Sequence, residues 1–310
     1  RIHRNIPKRI LCLCLVFAIG ISMGVLSDHF VSENSRFQTF TEKLFRSEVC
    51  SNTLTLHYTL AHPEKKGIRK PEATLGTALS DPAKTTSLCQ EYEKELKSFA
   101  YSRLSEENRL TCDMLLLYFH TRASLGKNNA LDEPLGPSLG VQAQLPILLA
   151  EYPFRTQQDI ADYLHLLQDL PRYFSDLIAL EQEKSRQGVF QNDLAVDGII
   201  RQCSAFLADA DTPESHLLHT VFQNKLQASS LFSEAERNLC LQTHEKLLIS
   251  CVFPAYRSLS DALSSLRGKG TQNAGGLSRQ EGGLSYYAYL LRSRVGVDAS
   301  PEELTRLLTQ

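Results

Sequence analysis

The chain has 310 residues, 42% hydrophobic and 22% charged, a composition that can bury a sizeable core and excludes a disordered polymer. Against 33 Lys and Arg stand 35 Asp and Glu, giving a formal charge of -2. The two signs are interspersed without a basic run and tryptophan is absent, so nucleic acid is excluded as an expected partner.

In chain order, the first signal is one of targeting. Arg1, His3, Arg4, Lys8 and Arg9 precede the uncharged stretch Ile10 to Leu26, after which Asp28 and His29 restore polarity. A basic flank followed by an apolar run matches a signal peptide or a membrane anchor with its basic end inside. A spanning helix needs roughly 20 apolar residues, with about 17 as the lower bound, so residues 10–26 are just long enough to engage the membrane. Residues 1–30 are therefore expected to be a leader or an N-terminal hydrophobic helix, and residues 31–310 an extracytoplasmic helical domain, truncated at both ends.

The body is punctuated by helix signals. Thr53 to Tyr58 alternates only briefly, and Ala61 to Ala83, with its prolines and glycines, reads as an irregular passage. Ser105 before Glu106 and Glu107 opens a helix reaching Leu117 and Phe119. Thr156 with Asp159 caps a segment in which Ile160, Tyr163, Leu164 and Leu167 recur with helical period, and Pro171 is expected to stop or kink it. Thr212 before Pro213 and Ser300 before Pro301 each place a hydroxyl ahead of proline at a first helical position. Ser233 with Glu236 is a capping box leading through Leu239 to His244 and Leu247. No segment alternates long enough to be a convincing strand. The expected fold is all-α, a multi-helix array with long irregular connections.

Two of those connections are Leu131 to Pro146, rich in proline and glycine, and Gly268 to Gly283, which closes with Ser285-Tyr286-Tyr287. Loops on a rigid scaffold commonly line clefts. Gln142, Gln144, Tyr286 and Tyr287 are accordingly candidate substrate-binding residues, with loop bracing and core packing as the competing reading. Arg155, just before a helix, reads as structural.

No catalytic centre is legible. His244-Glu245 begins a helical zinc motif, but position 248 is Leu, and only a second imidazole four residues on would share the metal. His216 with His219, and Asp162 with His165, have helical spacing but no third ligand nearby. Neither a nucleophile elbow nor a phosphate loop is present. Cys50, Cys89, Cys112, Cys203, Cys240 and Cys251 form no C-x-x-C pair, and most fall among apolar helical residues as free thiols.

The runs Leu54 to Leu60, Leu135 to Pro146, Tyr163 to Tyr173 and Pro254-Ala255-Tyr256, with the patches Gly275-Gly276-Leu277 and Gly282 to Tyr287, resemble a bacterial family known as domain of unknown function 885. The resemblance extends from about Phe37 to the end. Members look like helical zinc peptidases of the gluzincin type, with an H-E-x-x-H helix in their C-terminal half. The resemblance implies that this chain is the N-terminal scaffold and substrate-cleft part of a peptide hydrolase, inactive alone. It further implies zinc in the full-length protein, and none of the expected ligands maps onto a position here. Without the resemblance, a non-catalytic, membrane-anchored helical binding module accounts for the residues equally well.

Overall fold

The structure, a computed structural model, describes residues 32–79, 81–270 and 275–310. The expected helix at residues 10–26 lies outside the described residues. Among the described residues every regular element is helical, and none is long and apolar enough to cross a membrane.

The centre is a 30-residue helix, α6 (Gln157–Arg186). Its start is the capping box read from the sequence: the Asp159 backbone N–H donates to the Thr156 hydroxyl at 3.2 Å, and the Thr156 N–H donates back to the Asp159 carboxylate at 2.8 Å. Tyr163, Leu166, Leu167, Leu170, Phe174 and Leu177 form one buried stripe along it. Each such side chain contributes about 1.5–3 kcal/mol on burial. That is why α6 does not stop at Pro171: the stripe on both sides enters the same core, which outweighs the roughly 3 kcal/mol that a mid-helix proline costs.

Around α6 pack α5 (Val141–Glu151), α7 (Asp193–Phe206), α8 (Leu217–Ala228), α9 (Glu234–Leu247) and α10 (Phe253–Leu266). The capping box of Ser233 and Glu236 opens α9 as expected. Between α9 and α10 the backbone passes through a π-helical turn, Leu248–Val252. The wider turn lets the chain continue into Pro254, which has no N–H to give. Residue Phe253, Tyr256, Leu259 and Leu263 side chains of α10 then close the core over α6.

A second, smaller core joins α1 (Glu33–Val49), α3 (Pro82–Lys97) and α4 (Glu106–Ala123) through Phe37, Phe40, Leu96, Phe99 and Phe119. The short α2 (Thr53–Thr59) packs Leu56 against Val49 and Ile68 in a third small cluster and Leu54 against the main core. Finally α11 (Gly283–Leu290) and a π-helical turn, Leu291–Val295, lean against the end of α4 and a 3₁₀ segment, Gly126–Leu131, before α12 (Pro301–Leu308).

The brief alternation of Thr53 to Tyr58, left open by the sequence, is helical. Two local expectations are corrected. The irregular connection from Leu131 ends at Gly140, because Gln142 to Pro146 belong to α5. Thr212 starts only a 3₁₀ turn, Pro213–Ser215, since its hydroxyl accepts from Ser215 Oγ at 2.8 Å rather than capping a helix.

Candidate functional site

The four residues singled out from the sequence do not converge. Gln142 is buried in the first turn of α5, where its Nε2 donates to the Gly136 carbonyl at 2.7 Å and to Gln202 Oε1 at 2.6 Å. Gln202 in turn donates to the Pro137 carbonyl, so the pair braces the Gly-Pro-rich turn. Gln144 lines a separate recess of about 220 Å³ beside Asn52, Thr55 and Tyr173. Tyr286 and Tyr287 both lie within α11 and not on the preceding connection. Tyr286 is buried, whereas Tyr287 is exposed.

Tyr286 does line a cavity, of about 420 Å³. Its walls are the segment 131–133, the start of α7 with Gln191 and Asn192, the 3₁₀ turn Leu277–Arg279 with Gln280, and the face of α11 that carries Tyr286, Leu290 and Arg294 onward into the π turn. The two glycine-rich connections expected to build a cleft thus supply two of its walls. Gly283 is what allows α11 to stand there, because a β-carbon at that position would overlap the Leu277 carbonyl.

The wall at Asp132 is fixed from two sides. Tyr286 donates its hydroxyl to Asp132 Oδ1 at 3.1 Å, and Lys184 donates Nζ to the Asp132 backbone carbonyl at 2.9 Å. Burial, reinforced by the Asp132 carboxylate, pushes the Tyr286 phenol well above its ordinary range, so it stays a neutral donor. Lys184 lies deep behind the wall, with Glu181 Oε1 at 3.8 Å and both side chains about 1% exposed. Burial raises the Glu181 carboxyl toward its neutral form, against the pull of Lys184 and Gln191. Gln191 itself is 4% exposed, and its buried carboxamide lies against the Glu181 carboxylate.

Asp132, Glu181, Lys184 and Gln191 escaped sequence reasoning. For two of them a signal existed: positions 181 and 184 continue the stripe of Phe174 and Leu177 at helical spacing, and so belong to the buried face despite their charge.

The histidines are committed elsewhere. His216 caps α8, its Nδ1 accepting from the Leu218 N–H at 3.3 Å while its Nε2 donates to the Phe206 carbonyl at 3.0 Å, which uses both ring nitrogens. His244 is stacked on Phe222 and on Tyr163, with Nε2 at 3.2 Å from the Tyr163 hydroxyl and Nδ1 at 3.4 Å from His219 Nδ1. Burial, with His219 and His216 adding like charge, lowers its pKa to about 3. Asp162 is buried 3.6 Å from Lys70 and His165 is exposed, so that pair does not converge either.

His57 stacks on Tyr152 at 3.8 Å, and its Nε2 donates to the Pro153 carbonyl at 2.8 Å, tying α2 to the start of α6. Arg155 joins this tie through Nη1, 3.3 Å from the His57 carbonyl. Although burial alone would raise Asp159, Lys70 at 2.7 Å and the Thr156 cap hold its carboxyl below the usual range. The space beside this cluster is about 10 Å³, scarcely room for one water. Among the described residues no three His, Cys, Asp or Glu side chains are placed to hold a metal, so the residues present do not fit a zinc centre.

Residues 67–310 match the model of a family described as a bacterial protein of unknown function, DUF885. Among solved structures, a "putative lipoprotein" from Colwellia psychrerythraea is similar with a TM-score of 0.72 at 14% identity, over 89% of this chain and 48% of that one. At that identity the likeness is one of fold. The chain thus spans about half the length of the Colwellia protein. No curated protein matches the chain.

Proposed function

Because this chain belongs to the DUF885 family of bacterial proteins, we propose that it is the scaffold and one wall of the substrate cleft of an extracytoplasmic hydrolase acting on peptides. The observation that carries the reading is the 420 Å³ cavity, where Tyr286 and Asp132 form a fixed donor and acceptor pair between two irregular connections set on helices. A pocket of this size, lined at least as much by polar and charged side chains such as Asp132, Glu133, Asn192, Gln280 and Arg294 as by apolar ones, suits a polar organic ligand such as a peptide. The share of the Colwellia protein that the chain covers leaves room in such relatives for a second half, and that half is where we place the zinc and the reacting groups. The residues here hold and orient the substrate.

Location outside the cytoplasm is supported by the basic flank and apolar run at residues 1–26 and by the word lipoprotein in the name of the Colwellia protein. In this reading residues 10–26 attach the protein to the membrane.

The test is hydrolysis of a quenched-fluorescent peptide mixture by the full-length gene product, before and after removal of zinc by a chelator. Cleavage that disappears on chelation and returns with zinc is the expected result. A full-length protein that binds no zinc and cleaves no peptide would overturn the reading.

One observation favours a second reading, a helical binding module. Along α4, Leu110, Met114 and Leu117 are 62–65% exposed at i, i+4 and i+7, beside an apolar groove of about 510 Å³ that includes Phe45, Leu88 and Tyr118. If peptides are not cleaved but a partner is lost on Leu117→Glu, that reading takes precedence.

A further inference from the structure

Helix α4 is apolar on two faces, and the small core accounts for one of them. Cys112, Leu115, Leu116 and Phe119 pack inward with α1 and α3. On the opposite side Leu110, Met114 and Leu117 share one exposed strip of the helix, with Tyr118 at its edge. Phe45 and Leu88, in the groove that Tyr118 also lines, continue the apolar surface sideways. A helix that is apolar all round ordinarily has neighbours all round, so the strip is a surface for a partner.

The pattern along the strip is close to symmetric about Met114. Leu110 stands four residues before it and Leu117 three after it. Farther out, the exposed Glu107 and Arg122 lie about 10 Å to one side and about 12 Å to the other, at about 1.5 Å per residue. Glu106 joins Glu107 in the acidic first turn, and Arg122 belongs to the basic last turn. A second α4 laid antiparallel across the first, with a two-fold axis at Met114, therefore sets Leu110 against Leu117 of the other copy and brings Glu107 toward its Arg122, each contact being made twice. A parallel pair would instead set like charges side by side. Arg122 Nη1 donates to the Tyr118 hydroxyl at 3.0 Å, which holds the guanidinium beside the strip. Asp113, the remaining acid nearby, is drawn to the edge, where it accepts from the Tyr101 hydroxyl at 2.8 Å. Such self-complementarity is what an isologous two-fold interface requires.

We propose that two copies of the chain associate through an antiparallel crossing of their α4 helices, with Met114 at the two-fold axis. The proposal goes beyond the peptide-cleft reading and does not depend on it, because the strip and the 420 Å³ cavity share no residue.

The experiment is disulfide trapping of the full-length protein in the membranes of cells that express it, oxidised with copper phenanthroline and resolved on a non-reducing gel, with the native protein as background. Met114→Cys should convert most of the chain to a covalent dimer, since at a two-fold axis each cysteine meets its own copy. Leu239→Cys, equally exposed on α9, should stay monomeric. In the Met114→Cys background, Glu107→Arg or Arg122→Glu alone should lower the dimer yield at least about threefold, and the two together should restore it. All the altered side chains are exposed, so melting temperatures should be unchanged. A Met114→Cys yield no higher than that of Leu239→Cys would overturn the proposal, and is the result expected if lipid or another part of the full-length protein covers the strip. A yield indifferent to the single charge reversals would overturn it as well.

Discussion

The Tyr256 hydroxyl donates, at 2.9 Å, to the backbone carbonyl of Gln142, a carbonyl left without its helical partner because residue 146 is proline. In an uninterrupted helix that carbonyl would accept from the N–H of residue 146. The phenol of α10 takes the place of the missing amide, and so fixes α5 to the core. Tyr256→Phe should therefore cost about 1–3 kcal/mol, the penalty for a buried unpaired carbonyl. In a Pro146→Ala background the alanine N–H can satisfy the same oxygen, and the cost of Tyr256→Phe should fall by about 1 kcal/mol. Urea unfolding of the four proteins in this cycle measures the coupling, and strictly additive effects would contradict the account.

His244 should shape the acid limb of stability. Its folded pKa is about 3 against an ordinary value near 6.5, so between those values the unfolded chain binds a proton that the folded chain refuses. Stability is unaffected by this group above pH 6.5 and falls as pH drops through the window, by up to about 5 kcal/mol. His244→Phe, which keeps a flat ring between Tyr163 and Phe222, should reduce the slope of unfolding free energy against pH by close to one proton across that window. An unchanged slope would mean that the imidazole is not held neutral.

Glu181 should act with the opposite sign. Its carboxyl is raised by burial, so the folded protein holds a proton that the unfolded chain has already released. The associated stability is fully present below the ordinary glutamate pKa and is lost as pH rises through the folded value. Glu181→Gln mimics the protonated form and should remove that loss. Chemical unfolding at a series of pH values reads it directly, and a variant whose stability still declines in parallel with the native protein contradicts it.

The glycine at 283 should tolerate no side chain. A methyl group there meets the Leu277 carbonyl, so Gly283→Ala should cost about 1–3 kcal/mol through displacement of α11. Leu284→Ala next to it, at a 70% exposed position, should stay within about 0.5 kcal/mol. Thermal melts of both variants distinguish a close backbone approach from general sensitivity of this helix.

Most helix starts were legible where the determinant is local. Thr156 with Asp159, Ser233 with Glu236 and the hydroxyl of Ser300 each cap a helix in the structure, since the groups that satisfy one another lie within one turn. Thr212 has the same local pattern and fails, because the competing acceptor geometry of a 3₁₀ turn with Ser215 wins. Pro146 and Pro171 carry the breaker signal, yet both lie inside helices. What overrides them is remote: the Tyr256 hydroxyl in one case and the continuous buried stripe of α6 in the other. The cavity was half legible. Its glycine-rich walls are visible in the sequence, and Tyr286 with them, but Asp132, Lys184 and Gln191 acquire their roles only when α6, α7 and α11 meet.

The most direct measurement is photo-crosslinking of a peptide bearing a benzophenone side chain to the full-length protein, with the adduct mapped by mass spectrometry. Adducts on residues 131–133, 191–195 and 277–294, suppressed by excess unlabelled peptide, are the predicted result. Saturable adducts confined to the α4 groove, or to no part of this cavity, would contradict its assignment as a wall of the peptide cleft.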